Sequence, residues 1–528
     1  METISKGPFL GLNNRLPAFA LHKDKVGDFL SSTDNIDIDN AGNIRRRNAA
    51  ERIQAITGAH SLHMTSETAG YLVIGSIMYA ITLPTYTQTL FKVLTSNDPV
   101  YYVEDNGCIY YSNGTDSGRI QSSTWYPWGL PTPDTPTTSG IAGALPKGTY
   151  QIAVSYYNSV TKEEGGISAS TNPAISGATG GFRVPLPAAT PGADKVLVYV
   201  STTNGSIPMR VEADINAGTA YYDVVALATG RESNQRYEAP LPAGRPFMFN
   251  GCLCTISGSM LYEGSPFRPG YYLPAEGYIP FQAAVSNAVP AQNGIYVVAD
   301  KTYWLPGTRM AKLEAPIQDV LPYGGVPATG FGSPTSPNVG WFGAQGIVVA
   351  NQSGQVEALM SDNVALTAPA SGVSAVFDGE YRRVVSTVRG MNLQTTATTQ
   401  YSGYDFTSIS GNHGTKADGL YVLSAVGAVD ASFSLGKESF GSENEKHMPA
   451  VYLGYASAAQ MSLTVGLPNA VSYHYPARSC SDNIDIHRVD TGKKLRANWF
   501  DLAIANLDGA DFTLASVSFA PVASQRRI

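Results

Sequence analysis

Few stretches of this chain bring together residue types that could do chemistry, and each has to be weighed against a plain structural role. The segment Asp34-Asn35-Ile36-Asp37-Ile38-Asp39-Asn40-Ala41-Gly42-Asn43-Ile44-Arg45-Arg46-Arg47 carries an Asp-x-Asp pair ahead of a glycine, as a calcium loop does. An EF-hand loop, however, needs a polar ligand where Ala41 stands and a bidentate Glu where Asn48 stands. A solvated hairpin face is therefore the expectation for Asp37 and Asp39, and no metal or cofactor is expected. Arg45, Arg46 and Arg47 cannot all face one side of a strand: two go one way and one the other. They are candidate contacts to a neighbouring subunit or to DNA in a channel, because the guanidinium fork suits carboxylate and phosphate equally. The alternative is a solvated or ion-paired strand edge.

The remaining chemistry is sparse. His60 and His63 lie three apart without a third ligand, which is too little for a zinc site. Cys252 and Cys254, two apart on a strand, would point the same way and make a poor disulfide, so both read as small core residues. Ser112-Asn113-Gly114-Thr115-Asp116-Ser117-Gly118 lies near Trp125 and faintly resembles a sialidase Asp-box, but its register is off and it occurs once, so a turn is expected. No Gly-x-Ser-x-Gly elbow, Walker loop or dinucleotide fingerprint is present. A glycosidase needs only two carboxylates, and nothing in the sequence promotes one pair over another. On these grounds the chain is expected not to be an enzyme.

The elements that must position these residues are strands. Charged residues are 15% of the 528, while Gly (53), Pro (33) and Tyr (30) are plentiful, which suits short strands joined by tight turns. The length implies two to four domains or one large repetitive one. The net charge of −7 argues against a surface that binds nucleic acid or anionic membrane throughout. Four scattered Cys, at 108, 252, 254 and 480, fit synthesis in a reducing cytoplasm. Neither a signal peptide nor an apolar run of the roughly 18 residues needed for a membrane span is visible, so the expected product is soluble.

The opening segment reads as strand, turn, strand, with Ile36, Ile38 and Ile44 on one face and Asn40–Asn43 reversing the chain. Residues 7–21 read as an extended arm. Asn106-Gly107, Asn204-Gly205 and Asn250-Gly251 mark further hairpins. Pro127, Pro131, Pro133 and Pro136 make a stiff linker, and after it a block of clean alternation resembles a fibronectin III or Ig-like sandwich. Apolar strands beside Gly-containing turns recur at 294–305, 340–350, 354–359 and 417–423, the degenerate repetition of propeller blades.

The fold class expected is therefore all-β: a β-propeller-like body with an inserted fibronectin III/Ig-like β-sandwich. The arm, hairpin and first part of the body occupy 1–135 and the sandwich 138–226. The rest of the body covers 230–475. Residues 478–528 hold strands that close the body or touch neighbours. Ser481-Asp482-Asn483-Ile484-Asp485-Ile486 echoes Thr33–Ile38, so the two termini are expected in one region.

The Gly-rich arm from Gly7 followed by Asp34–Arg47 resembles the start shared by many bacteriophage tail proteins with propeller bodies. Gly294-Ile295-Tyr296-Val297-Val298-Ala299-Asp300-Lys301-Thr302-Tyr303-Trp304-Leu305 resembles a second segment of theirs, and Gly346–Ala350 with Gly354-Gln355-Val356 a third. Asn48 departs from the pattern, standing where that family turns with Pro-Gly. The resemblance implies a structural protein of the virion tail, assembled in the host cytoplasm, most like the nozzle or tail tubular protein B. Such a protein would form a homo-oligomeric ring around the DNA ejection channel. Its partners would be other tail proteins, transiently the viral DNA, and a host surface receptor. Alternatives in the same setting are a baseplate, distal-tail or receptor-binding protein, and a carbohydrate-active propeller enzyme on the virion.

Overall fold

The computed structural model describes residues 4–23, 25–233, 238–310, 312–457, 459–479, 483–492 and 495–523. Cys480, Ser481 and Asp482 of the echo segment, and Arg526-Arg527, lie outside them. Among the described residues the chain is β throughout, its single helical piece being a 3-10 turn at Met360–Asp362. Among the described residues no helix is long and apolar enough to cross a membrane. The expected all-β, propeller-like class with an inserted sandwich is the fold found, and it divides into two compact units.

The first unit comprises Met1–Leu94, Ser286–Pro306 and Ala315–Ile528. It holds five antiparallel sheets of blade type. Ala59–Met64, Ala69–Ile74, Ile77–Thr82 and Thr87–Val93 form one meander, and Asn287–Ala291, Gly294–Val298, Thr302–Pro306 and Gln318–Leu321 form another. Val339–Gly343, Gly346–Ala350 and Val356–Leu359 make a three-stranded sheet whose first two strands are buried on both faces. Trp341, Tyr296 and Trp304 pack where these last two sheets share a core. Ser374–Phe377, Arg383–Ser386, Arg389–Asn392 and Thr398–Gln400 form the fourth, and the arm strand Phe9–Leu12 extends it by pairing in parallel with Thr398–Gln400. Gly11 sits at φ +100 with its Cα against the Thr398 backbone, an approach only glycine allows. The fifth joins Ser408–Ser410, His413–Lys416 and Gly419–Ala425 to Ala49–Ala55, contributed from the far end of the chain.

The same unit contains a two-sheet sandwich that sequence reading did not separate from the body. Ala450–Ser457 and Phe512–Phe519 lie at the centre of one sheet, Met461–Gly466 and Phe500–Asn506 at the centre of the other. Alternation is strict in Phe500–Asn506 and broken once in Phe512–Phe519, where the register shifts between Leu514 and Ser516; Phe500, Leu502, Ile504, Phe512, Leu514, Val517 and Phe519 face one shared core. N-terminal strands complete it. Ile4–Lys6 and Ile44–Arg46 both pair with Phe512–Phe519, and Ser32–Asp34 pairs with Ser432–Glu438. The division at 230–475 and 478–528 is thus corrected: a continuous sandwich begins near Ser432, and the opening hairpin belongs to it. The echo strand Asp485–Asp490 lies in the hairpin's own sheet, at its other edge.

The second unit comprises Thr95–Val285 and Gly307–Glu314. It holds two four-stranded meanders, Tyr101–Asp105 through Thr124–Tyr126 and Arg245–Phe249 through Tyr278–Pro280. Asn106-Gly107 and Asn250-Gly251 both turn with two successive positive φ angles, the hairpin geometry that matches strand twist. Between the meanders in sequence stands the sandwich, with strands from Ser139–Thr149 to Tyr221–Val224 arranged as a three-stranded and a four-stranded sheet. Tyr150, Ile152, Val154, Phe182, Val184, Val196, Val198 and Val200 fill its core.

Trp341→Ala should destabilise the first unit by about 3–5 kcal/mol, and Trp341→Phe by about 1.5 kcal/mol or less, because the larger cavity is only partly closed by relaxation. Urea denaturation followed by circular dichroism measures both.

Candidate functional site

The opening hairpin is where the sequence placed its candidates. Ile36–Ile38 and Ile44–Arg46 pair in the register Ile36↔Arg46, Asp37↔Arg45, Ile38↔Ile44. Asp39 builds the turn: its Oδ1 accepts the N–H groups of Ala41 and Asn43 at 2.9 Å each, and Oδ2 accepts Asn43 Nδ2 at 3.0 Å. The expected solvated acidic face is corrected, since Asp37 is 6% and Asp39 4% exposed. Period-2 alternation is present, but both faces of this hairpin are covered.

Asp37 accepts from the Arg383 guanidinium and from the Tyr401 hydroxyl. Burial works against charge on Arg383, but Asp37 outweighs it and holds the guanidinium above its ordinary value. Burial, with the adjacent carboxylate, pushes the Tyr401 and Tyr381 phenols well up. Arg45 makes a fork with Glu380 (2.5 and 3.0 Å) and lies 3.1 Å from Asp39. Arg46 turns the other way, to Gly427 O at 2.7 Å and toward Asp511 at 3.5 Å. Arg47 is buried. It donates to Asn35 Oδ1 (2.7 Å), Asn48 O (2.9 Å) and Ser402 O (3.1 Å), and lies 5.0 Å from the Tyr404 ring centroid. Burial lowers its pKa. Of the three, Arg45 keeps the most side-chain exposure, 31%. Asn48 is the single exposed residue that passes the chain from the sandwich to Ala49–Ala55, so no Pro-Gly turn is needed.

Other candidates resolve simply. Cys252 and Cys254 are buried and burial pushes both thiols up, away from reactivity. His60 pairs through Nδ1 with Ser61 Oγ at 2.6 Å and through Nε2 with Gly75 O at 3.1 Å. Among the described residues no three His, Cys, Asp or Glu side chains gather as a metal site. The 112–118 segment is a turn in which Asn113 Oδ1 accepts from the N–H groups of Thr115 and Asp116.

A different site emerges in the second unit. A cleft of about 660 Å³ is lined by Arg119, Gln121, Thr124 and Tyr126 of one meander, by 160–163 beyond the strand Ile152–Asn158, and by 267–271. Arg119 and Glu163 form its floor, Nη2 to Oε2 at 2.5 Å, with both side chains largely buried. The Tyr271 hydroxyl donates to Glu163 Oε1 at 2.9 Å and accepts the Leu130 N–H at 2.7 Å. Burial pulls Arg119 down, yet Glu163 leaves its pKa raised. Arg268 pairs with Glu238 at 2.6 Å, donates to Glu164 O at 2.7 Å and lies 4.4 Å over the Tyr271 ring. The Arg119 guanidinium lies 5.5 Å from the Tyr126 ring. At the rim, Phe267 is 99% exposed, beside exposed Val160 and Lys162. Sequence reading missed this site because its residues come from three separated stretches of chain, none carrying a motif. Phe267-Arg268-Pro269-Gly270, an aromatic and a cation on a tight turn, was the available signal.

No protein-family model matches this chain, and no curated protein matches it. Among solved structures, an exo-β-1,3-galactanase from Phanerochaete chrysosporium with galactose matches at 10% identity over 80% of this chain and 95% of its own, TM-score 0.18. A glycoside hydrolase family 43 arabinoxylan arabinofuranohydrolase from Bacillus subtilis matches at 9% identity over 89% of this chain and 96% of its own, TM-score 0.17. A Bacillus thuringiensis Cry1Da tryptic core variant matches at 11% identity over 46% and 51%, TM-score 0.17. The sequence reading expected no enzyme, whereas glycoside hydrolases recur in this set. Likeness of this degree carries no residue and no activity across.

Asp37→Ala, which strands the Arg383 guanidinium, should cost about 3–5 kcal/mol of stability. Arg45→Ala, at a partly exposed pair, should cost about 1 kcal/mol or less. Chemical denaturation of the two variants side by side checks the difference.

Proposed function

We propose that this chain is a carbohydrate-engaging component of a bacteriophage virion tail, with the cleft of the second unit as its sugar site. The observation that carries the reading is that cleft's lining. Sugars present apolar C–H faces and hydroxyl edges, and the cleft offers aromatic surfaces (Phe267, Tyr126) beside fixed polar groups (Arg119, Glu163, Arg268). Glu163 is the carboxylate to which an acid–base role in glycoside cleavage would fall. The tail setting rests on the resemblance of the opening hairpin. Its support is that the shared residues have work inside the molecule: Asn35, Asp37, Asp39 and the three arginines hold strands from both ends of the chain together. In this reading the partners are further copies of the chain, other tail proteins and a host surface glycan.

A second reading, a nozzle subunit in a ring around the DNA path, is favoured by the same buried hairpin and by the net charge of −7, which would not hold exiting DNA. Arg45 and Arg46 border a polar cleft of about 480 Å³ with Glu380 and Asp511, where a subunit or DNA contact would form.

The test is incubation of the purified chain with host surface polysaccharide, with binding and release of reducing ends both read. Binding that Phe267→Ala weakens about tenfold is expected. Release of fragments that Glu163→Gln abolishes would assign hydrolysis to the cleft, and binding without release would assign receptor recognition. No binding removes the carbohydrate reading. Immunogold labelling of purified particles should mark the tail, and unlabelled particles remove the virion reading.

A further inference from the structure

The cleft also carries information about which sugars it takes. Three cations line it, Arg119, Lys162 and Arg268, against one carboxylate, Glu163, in a chain whose net charge is −7. The cations are incompletely committed. Arg119 uses Nη2 for Glu163, and its Nε is buried with no hydrogen-bond partner. Arg268 uses Nε for Glu238 and Nη2 for the Glu164 carbonyl. Nη1 of each guanidinium is in no hydrogen bond among the described residues. Lys162 is exposed at the rim at φ +60 and makes no ion pair or side-chain hydrogen bond among the described residues.

We propose, building on the carbohydrate reading above, that the cleft selects acidic glycans, those bearing a sugar carboxylate such as uronic or nonulosonic acids. The planar guanidinium groups are held rigid by their existing partners and by stacking on Tyr126 and Tyr271. Each therefore keeps an Nη1 group outside its existing hydrogen bonds on a side chain already held in place, the condition under which arginine recognises a carboxylate at little cost in side-chain entropy. Lys162 adds an unpaired charge at the mouth, and the acidic balance elsewhere repels the same polymer, which concentrates it at this one site. Phe267 supplies the surface for the sugar's apolar face, a contact indifferent to the carboxylate. Charge selects and stacking holds.

The test uses polygalacturonate, alginate, hyaluronan and polysialic acid, each beside its carboxyl-reduced form, with single-stranded DNA as a further arm, in calorimetric titrations of the full chain at low and moderate salt. At least one acidic polymer should bind about tenfold or more tightly than its reduced form, and the preference should shrink as salt is raised. Lys162→Gln should weaken binding of the acidic form about threefold or more relative to the reduced form. Phe267→Ala should weaken both forms alike. Equal binding of acidic and reduced forms, or a preference that Lys162→Gln leaves unchanged, overturns the inference while the carbohydrate reading stands. No binding of any polysaccharide, acidic or neutral, removes both. Tighter binding of DNA than of every glycan at matched salt makes the cleft a nucleic-acid site and overturns the inference in favour of that ligand.

Discussion

A buried carboxylate must be matched where it stands, and Asp37 is the one on which the first unit depends. Its two oxygens take the Arg383 guanidinium and the Tyr401 hydroxyl, both from the sheet that ends at Thr398–Gln400 and the chain just after it. The strand carrying Asp37 belongs to the sandwich. Low-dielectric burial makes each of these partners costly alone, so the contact joins the two sheets and is expensive to break from either side. Arg47 repeats the arrangement nearby, with Asn35 and Ser402 as acceptors and Tyr401 and Tyr404 as its walls. The aromatic rings exclude water from both. This is why a short polar segment, unremarkable by composition, behaves as the interior of the molecule.

The local grammar of the fold was legible in the sequence. Asn106-Gly107 and Asn250-Gly251 announced hairpins because Asn followed by Gly adopts two positive φ angles in succession at little cost. The alternation of 148–157 and 193–201 announced the inserted sandwich, and the aromatic strand of 294–305 announced a meander. What could not be read were the associations that join distant chain. Ile4–Lys6 pairs with Val517–Phe519, and Ala49–Ala55 with Gly419–Ala425, and no local pattern encodes a partner hundreds of residues away.

The acidic hairpin face shows a second kind of limit. Alternation says that Asp37 and Asp39 oppose Ile36 and Ile38, but it is silent on whether the polar side meets water or another sheet. Here it meets Arg383, Arg45 and the turn's own amides. The cleft of the second unit is a third case. Arg119, Glu163 and Phe267 each sit beside a turn, and only the folded inserted sandwich brings 160–163 to the other two segments. Turn residues chosen for backbone geometry and turn residues chosen for a ligand look alike in one sequence.

The strand Ala49–Ala55 has a consequence for synthesis. It leaves the ribosome early, while its partner Gly419–Ala425 is made hundreds of residues later. At the roughly 5–20 residues per second of translation, the strand waits for tens of seconds with its amides unpaired. An edge left open so long invites pairing with another nascent chain. Glu51 and Arg52, opposite charges exposed in mid-strand, are suited to holding it off from such encounters until its partner emerges. The sheet is therefore completed only when a segment made hundreds of residues later reaches one made near the start.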